Sequence, residues 1–273
     1  MSTSISTAFI RQFESDVHVA YQRMGTKLRS TIRRKVQVSG EDVRFQKYAK
    51  GSASTKSRHG DVPLMNVAHT TVDCSLTDHY ASEYIDELDL LKTNIDERGL
   101  AAQAGAAALG RKTDELITTA MDTTTSVVAH GSADMTLAKV HSAFETLGGN
   151  DVPDDGQRFW VLGYAQWSAL MDITQFASAD YIGGDDLPWN GATAKRFHSF
   201  LMFPFSGLDV ASNIRKTFAY HTTAMGHGIG KDVSQDITWD GRKQAHLVVN
   251  KMSQGCVLVD ANGIIEVSCD ESA

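Results

Sequence analysis

Residues 36–76 hold two alternating apolar–polar runs joined by a polar stretch, and a fold with one compact core cannot absorb such a ribbon. Val36 and Val38 flank polar Gln37, Ser39-Gly40-Glu41-Asp42 supplies turn chemistry, and Val43, Phe45 and Tyr48 resume the period of two. A second run from Leu64 to Leu76 alternates again through Val67, His69 and Thr71. Between them the stretch GSASTKSRHGDVP, residues 51–63, reads as an exposed tip closed by Pro63. The pattern predicts an extended, protruding β-hairpin. A lone two-stranded ribbon is marginal in water, so packing from outside must hold it.

Charge divides at about the same place. Residues 1–60 carry 12 Lys/Arg against 4 Asp/Glu, a net of +8, and the remaining 213 carry 14 against 29, a net of −15. A basic leading segment on an acidic body attracts polyanions, acidic surfaces or a second copy of the same chain. With 42% hydrophobic and 22% charged residues in 273, the composition is that of an ordinary globular protein. No apolar run approaches the roughly 18–20 residues of a membrane helix. The amino terminus is polar and lacks a signal-peptide core. Cys74, Cys256 and Cys269 are odd in number, widely spaced and without C-x-x-C, which argues against a zinc framework or disulfide scaffold and for a reducing cytoplasm.

Before the hairpin, Phe9, Ile10, Phe13, Val17, Ala20, Tyr21 and Met24 fall at helical spacing, with Gly25 as a stop. Two uses fit this amphipathic helix: packing on its own body, or docking on a neighbour. A basic run follows, Arg23, Lys27, Arg29, Arg33, Arg34 and Lys35, with no interleaved acid. After the hairpin, residues 78–97 are acidic (Asp78, Glu83, Asp86, Glu87, Asp89, Asp96, Glu97) and lead into an Ala-rich helix over 94–121. Thr123–Gly131 is a hydroxyl-rich loop and the candidate subdomain boundary.

Beyond it the spacing predicts a helix from Thr136, a strand over 159–162, a helix over 165–173, a loop over 180–193 and one strand over 197–205. Strand-and-turn chemistry fills 217–230. Strands follow at 236–239, 245–250 and 256–267, the last interrupted by an Asp260-Ala261-Asn262-Gly263 hairpin turn. The mixed order is α+β, without the βαβα alternation of a doubly wound sheet.

No catalytic constellation emerges. H-E-x-x-H and G-x-S-x-G are absent. Gly226-His227-Gly228-Ile229-Gly230-Lys231 lacks the leading glycine and the Ser/Thr of a phosphate loop, and its glycines read as a tight turn. His221 and His227 read as hydrogen-bonded sheet histidines. His59, His69 and His79 lie too far apart on extended strands to share a metal. Cys74, near Asp73 and His79, reads as a small buried residue, and the acid pairs Asp154-Asp155 and Asp185-Asp186 as turn formers. The expectation is a non-enzyme with no cofactor, no metal site and no catalytic residue.

Taken in order, these pieces resemble the major capsid proteins of tailed bacteriophages, with the fold called Hong Kong 97-like. The stretches that carry the likeness are ISTAFIRQFESDVHVAYQRMGTKLR, Ser57-Arg58-His59-Gly60-Asp61-Val62-Pro63-Leu64, FAYHTTAMGHGIGKDVSQDITW and GCVLVDANGIIEVSCDE. The resemblance spans nearly the whole chain. It implies an N-terminal arm (1–35) with the apolar face Phe9, Phe13, Val17 and Tyr21, and an extended loop (36–76). It implies a peripheral domain (77–129 and 236–273) with a spine helix (94–121), and an axial domain (130–235).

The implied role is structural: hexamers and pentamers of an icosahedral shell around packaged double-stranded DNA, in the virion, assembled in the host bacterial cytoplasm. The implied partners are other copies of the chain, a scaffolding protein and a portal, with a decoration protein left open and no membrane. Because the chain starts at the arm, a separate scaffold or prior removal of a segment is implied. No covalent crosslink pair aligns. On charge, Lys47, Lys50, Lys56 and Arg58, with Asp61 beside them, are expected to dock on the acidic stretch (Asp86, Glu87, Asp89) of an adjacent subunit. Arg29, Arg33, Arg34 and Lys35 face either DNA or another subunit. A cellular encapsulin-like shell and a basic-arm nucleic-acid-binding protein remain the alternative readings.

Overall fold

The computed structural model describes residues 22–88, 96–177 and 194–272. Their order is β1 (Arg33–Val36), β2 (Asp42–Tyr48), β3 (His69–Ser75), β4 (Thr77–Asp86), α1 (Glu97–Met121), β5 (Val127–Val128) and α2 (Leu137–Gly149). Then come β6 (Arg158–Leu162), α3 (Tyr164–Met171), α4 (Thr174–Ala177), β7 (Lys195–Phe197), β8 (Phe200–Pro204) and β9 (Val210–Ala211). The chain closes with β10 (Ile214–His221), β11 (Met225–Asp240), β12 (Ala245–Leu258) and β13 (Ile264–Asp270). The architecture is α+β.

The Ala-rich composition of α1 sustains 25 residues of helix, capped by the Asp96 side chain, which accepts from the Gly99 amide. Its buried residues include Ala107, Gly110, Asp114, Ile117 and Met121, a stripe at three- and four-residue spacing. That face lies on a four-stranded sheet of order β1-β11-β12-β4, where Thr113 Oγ1 donates to Gln254 Oε1 at 3.0 Å. The second sheet runs β5-β13-β10-β6-β8-β7, with β9 paired to β10. One side of it, with Trp160, Leu162, Phe200 and Met202, packs against Val140, Leu147, Trp167 and Phe176 of the helices. The alternate residues Val161, Phe218 and Tyr220 face Leu28, Ile32, Ile117 and Met121. Period-two alternation therefore buries both sides of this sheet. The third sheet is the hairpin β2-β3.

Four local expectations need correction. First, the strand expected over 197–205 is a hairpin. Phe197 pairs with Phe200, and His198 and Ser199 between them have φ of 47° and 66°, the geometry of a two-residue turn that untwists nothing in the flanking strands. Second, Asp260–Gly263 is no hairpin turn. It is a short 3-10 turn that carries the chain from β12 in the first sheet to β13 in the second.

Third, Gly226–Lys231 is no turn either, but lies inside the 16-residue strand β11, which also contains the separately expected 236–239 strand. Fourth, the hairpin ladder is shorter than expected, from the Asp42↔Ser75 pair to the Tyr48↔His69 pair. Val36 belongs to β1, which runs parallel to β11 instead. The acidic stretch after Leu76 begins as β4, antiparallel to β12, before the chain reaches α1.

Candidate functional site

The hairpin is held by glycines. Gly226 and Gly228 alternate on β11, and Gly255 faces Gly228 across β12. A Cβ at Gly226 would lie 2.8 Å from the Phe45 ring, and one at Gly228 would lie 2.7 Å from Val43. A Cβ at Gly255 would overlap the Ser75 carbonyl oxygen. These strand glycines leave a bare strip into which the inward residues of the hairpin settle. Val43, Phe45 and Cys74 are each 1% exposed and form a small core with Val259. Burial raises the Cys74 thiol above its ordinary range, which keeps it inert at neutral pH.

Two ion pairs flank this seat. Lys47 Nζ lies 2.7 Å from Asp260, and Lys50 pairs with Asp151, which is held below the usual carboxylate range by that lysine. Both acids belong to the same chain, so these two lysines engage their own body. Lys56 and Arg58 lie farther out on the exposed tip with Asp61. The tip also carries Val62, Leu64 and Met65, exposed by 73%, 89% and 54%. Three apolar side chains so exposed within four residues are the kind of feature that marks an interaction surface when they form one contiguous patch.

The basic segment is a strap along α1. Asp114, buried in the helix stripe, accepts from the Lys27 amide (3.2 and 3.3 Å) and the Leu28 amide (3.2 Å), with Arg23 Nε 3.5 Å away. Burial raises the Asp114 carboxyl above its usual range, although the two amides and Arg23 favour the ionised form. Arg29 forms a two-pronged pair with Asp232 at 2.8 and 2.6 Å. The Arg33 guanidinium sits 5.3 Å from the centre of the Phe45 ring. Arg34 and Lys35 are exposed on β1, at the edge of the first sheet.

Behind the strap, His227 is fully buried. Its Nε2 donates to Gln254 Oε1 at 3.2 Å, while Nδ1 has no partner among the described residues. Burial first, opposed by the Gln254 hydrogen bond and Asp232 and assisted by Arg29 and Arg34, lowers its pKa to about 4. Since the folded value lies below that of a free imidazole, the unfolded chain takes up the proton first as pH falls. Stability tied to His227 is therefore complete above about pH 6.5 and lost between there and about pH 4. Urea titrations are expected to show about 2 kcal/mol lost between pH 7 and 5 in the parent, and a flatter dependence in His227→Gln. Equal losses in both would remove His227 as the cause.

The other histidine expected in a sheet, His221, accepts or donates between Asp155 (3.1 Å) and Thr223 (2.8 Å). Among the described residues no group of three or more His, Cys, Asp or Glu is arranged to hold a metal ion. None of their helices is long and apolar enough to cross a membrane.

The structure thus gathers Lys47, Lys50 and the hairpin base at the body, and leaves Lys56, Arg58 and Asp61 outside. Asp86 and Glu87 sit at the end of β4, where Asp86 Oδ1 accepts from the Leu88 amide at 2.8 Å. Asp89 and the arm residues Phe9, Phe13, Val17 and Tyr21 lie outside the described residues. Sequence reasoning missed Asp114. The signal was present: an acid on the buried stripe of a helix must find donors. It also missed the glycine strip, whose cue was glycine at every second position, the period of a strand.

Residues 5–271 match the family described as phage capsid protein. No curated protein sequence matches the chain significantly. Among solved structures, the chain is similar to one described as the capsid structure of the cyanophage P-SCSP1u, with a TM-score of 0.78 and 15% identity over 98% of this chain and 95% of that one. It is similar to a structure from Mycobacterium phage Che8, with a TM-score of 0.76 and 17% identity over 97% and 98%. It is also similar to the capsid of a native GTA particle, with a TM-score of 0.74 and 12% identity over 98% and 97%. Identities so low speak for a shared fold, and the family match covers almost every residue. The chain belongs to the phage capsid protein family.

Proposed function

We propose that this protein is the major subunit of an icosahedral shell, assembling as hexamers and pentamers around packaged double-stranded DNA. The observation that carries this reading is the hairpin. Its base is locked into its own body, while its tip presents apolar and basic side chains that nothing among the described residues covers. In this reading residues 1–35 are an arm and 36–76 an extended loop. Residues 77–129 with 236–273 form a peripheral domain around the spine helix, and 130–235 an axial domain. A scaffolding protein and a portal belong to the same reading.

Lys56 and Arg58 dock on the acidic stretch around Asp86, Glu87 and Asp89 of the adjacent copy, with Val62, Leu64 and Met65 supplying the apolar contact. Lys47 and Lys50 instead set the angle at which the hairpin leaves its body. The charges govern register and encounter rate, and apolar burial supplies affinity. Arg33, Arg34 and Lys35, all exposed on β1, suit sequence-independent contact with DNA phosphates.

Negative-stain microscopy of the expressed protein, with and without an accompanying scaffold, is expected to show closed shells tens of nanometres across. Monodisperse monomers under all conditions would count against the reading. Shells are expected to be lost or malformed in Lys56→Glu/Arg58→Glu, and partly restored when Asp86 and Glu87 are reversed to Lys. Normal yield in the first variant would sink the docking.

A further inference from the structure

The two sides of the second sheet are not equally covered. On the side packed against α2 and α3, Trp160, Phe200 and Met202 are fully buried. On the other side the strand register sets two cross-strand rows. One runs Phe218, Val161, Phe203, and the next Tyr220, Phe159, Leu201, Arg196. Burial falls away along both rows in the same direction. Phe218, Val161 and Tyr220 lie under Leu28 and Ile32 of the strap, whereas Phe159, Leu201 and Phe203 are half-buried and Arg196 is exposed. The strap therefore stops short of β8 and β7. It leaves an open groove of about 610 Å³ with Phe159, Leu201 and Phe203 as its floor, lined also by Lys27 of the strap and by Tyr164, 55% exposed.

The charge around this floor has one sign. Lys27 stands on the strap side, and Arg196 on β7, the edge strand, at the opposite side. Arg196 donates to the Gly156 carbonyl at 3.5 Å, and neither side chain has an ion-pair partner among the described residues. No Asp or Glu of the described residues lines the groove. Residues 61–273 carry a net charge of −15, so an acidic ligand is repelled by most of the body and attracted here.

Width narrows the choice of occupant. From β6 to β7 is two interstrand steps, about 10 Å, which matches the diameter of one α-helix and excludes a second sheet. The apolar sides of α1, α2 and α3 are buried in their own core, so no described helix of a second copy has one to offer. We propose that this groove binds an acidic amphipathic helix of a second protein. Its apolar side chains, at i, i+3 or i+4 and i+7, rest on Phe159, Leu201 and Phe203, and its carboxylates pair with Lys27 and Arg196. The site belongs to the single subunit and does not depend on the shell reading.

The probe is a fluorescein-labelled peptide of about 18 residues with Leu at helical spacing and Glu and Ala elsewhere. It is titrated into the full-length, unassembled subunit and followed by anisotropy, beside a counterpart with Lys for every Glu. Saturable binding of the Glu peptide is expected, about tenfold tighter than that of the Lys peptide. Lys27→Gln/Arg196→Gln is expected to cancel that preference, and Leu201→Ser to weaken the Glu peptide about fivefold. No saturable binding, equal affinity for the two peptides, or an unchanged preference in the double variant would each overturn the proposal. A benzophenone on the Glu peptide gives a variant-free check on the parent. Cross-links are expected at Phe159, Tyr164, Leu201 or Phe203, and cross-links only elsewhere would overturn it.

Discussion

Gly255→Val is expected to abolish shell assembly and to destabilise the subunit by about 3 kcal/mol, the upper end for an overpacked site. The reason is geometric. The space a Cβ would need at position 255 is filled by the Ser75 carbonyl, which belongs to the hairpin backbone and has no rotamer to move to. Either the hairpin lifts, exposing Val43, Phe45 and Cys74, or the β11–β12 ladder parts at the Gly228↔Gly255 pair. Lifting also draws Lys47 and Lys50 away from Asp260 and Asp151, so the tip would leave the body at a wrong angle. Gly148→Ala, where an added Cβ meets nothing within 4 Å, is the matched control and should assemble normally. Urea unfolding and sedimentation of assembly reactions measure both effects. Normal shells from Gly255→Val would show that the seat does not position the hairpin.

Asp114→Ala is expected to cost about 3 kcal/mol, the range for removing one partner of a buried, hydrogen-bonded charge. Two amide donors, those of Lys27 and Leu28, lose their acceptor at once, and Arg23 loses the carboxylate 3.5 Å from its Nε. The consequence travels along the chain, because residues 22–32 hold β1 against β11, and Leu28 and Ile32 close the core shared with the second sheet. The melting temperature should fall by roughly 6–12 °C for a chain of this size. Trypsin should cut sooner at Arg23, Lys27 and Arg29. Asp114→Asn keeps one acceptor oxygen without the desolvated charge, so it should lie between parent and alanine variant. An unchanged melting temperature in Asp114→Ala would mean that the strap is held by its apolar contacts alone.

Much of this was legible before any coordinates. Period-two alternation identified both hairpin strands, and the Ala-rich run with acids at its start located the long helix to within a few residues at its N-terminus. These signals are local. A residue's neighbours in sequence decide whether a strand or a helix has an apolar side. What failed shares a different character. Asn262-Gly263 has the chemistry of a hairpin turn, but β12 already had partners on both edges in β11 and β4, so the chain crossed to the other sheet. The glycines at 226 and 228 look like turn residues until Phe45 and Val43 are seen against them. Lys47 and Lys50 look free for a neighbour until Asp260 and Asp151, more than a hundred residues away, are brought beside them.

The amino-acid sequence alone determined the element types, the α+β class, the separation of a basic leading segment from an acidic body, and the presence of a ribbon that its own two strands cannot stabilise. These follow from hydrophobic period and charge counts, which the chain carries in linear form. Only the tertiary structure decided which basic residues are already neutralised, which glycines make room for the hairpin, and that Asp114 anchors the strap. Each of those depends on two segments distant in sequence meeting at a few ångströms, where sterics and desolvation act over a range too short for any linear pattern to record.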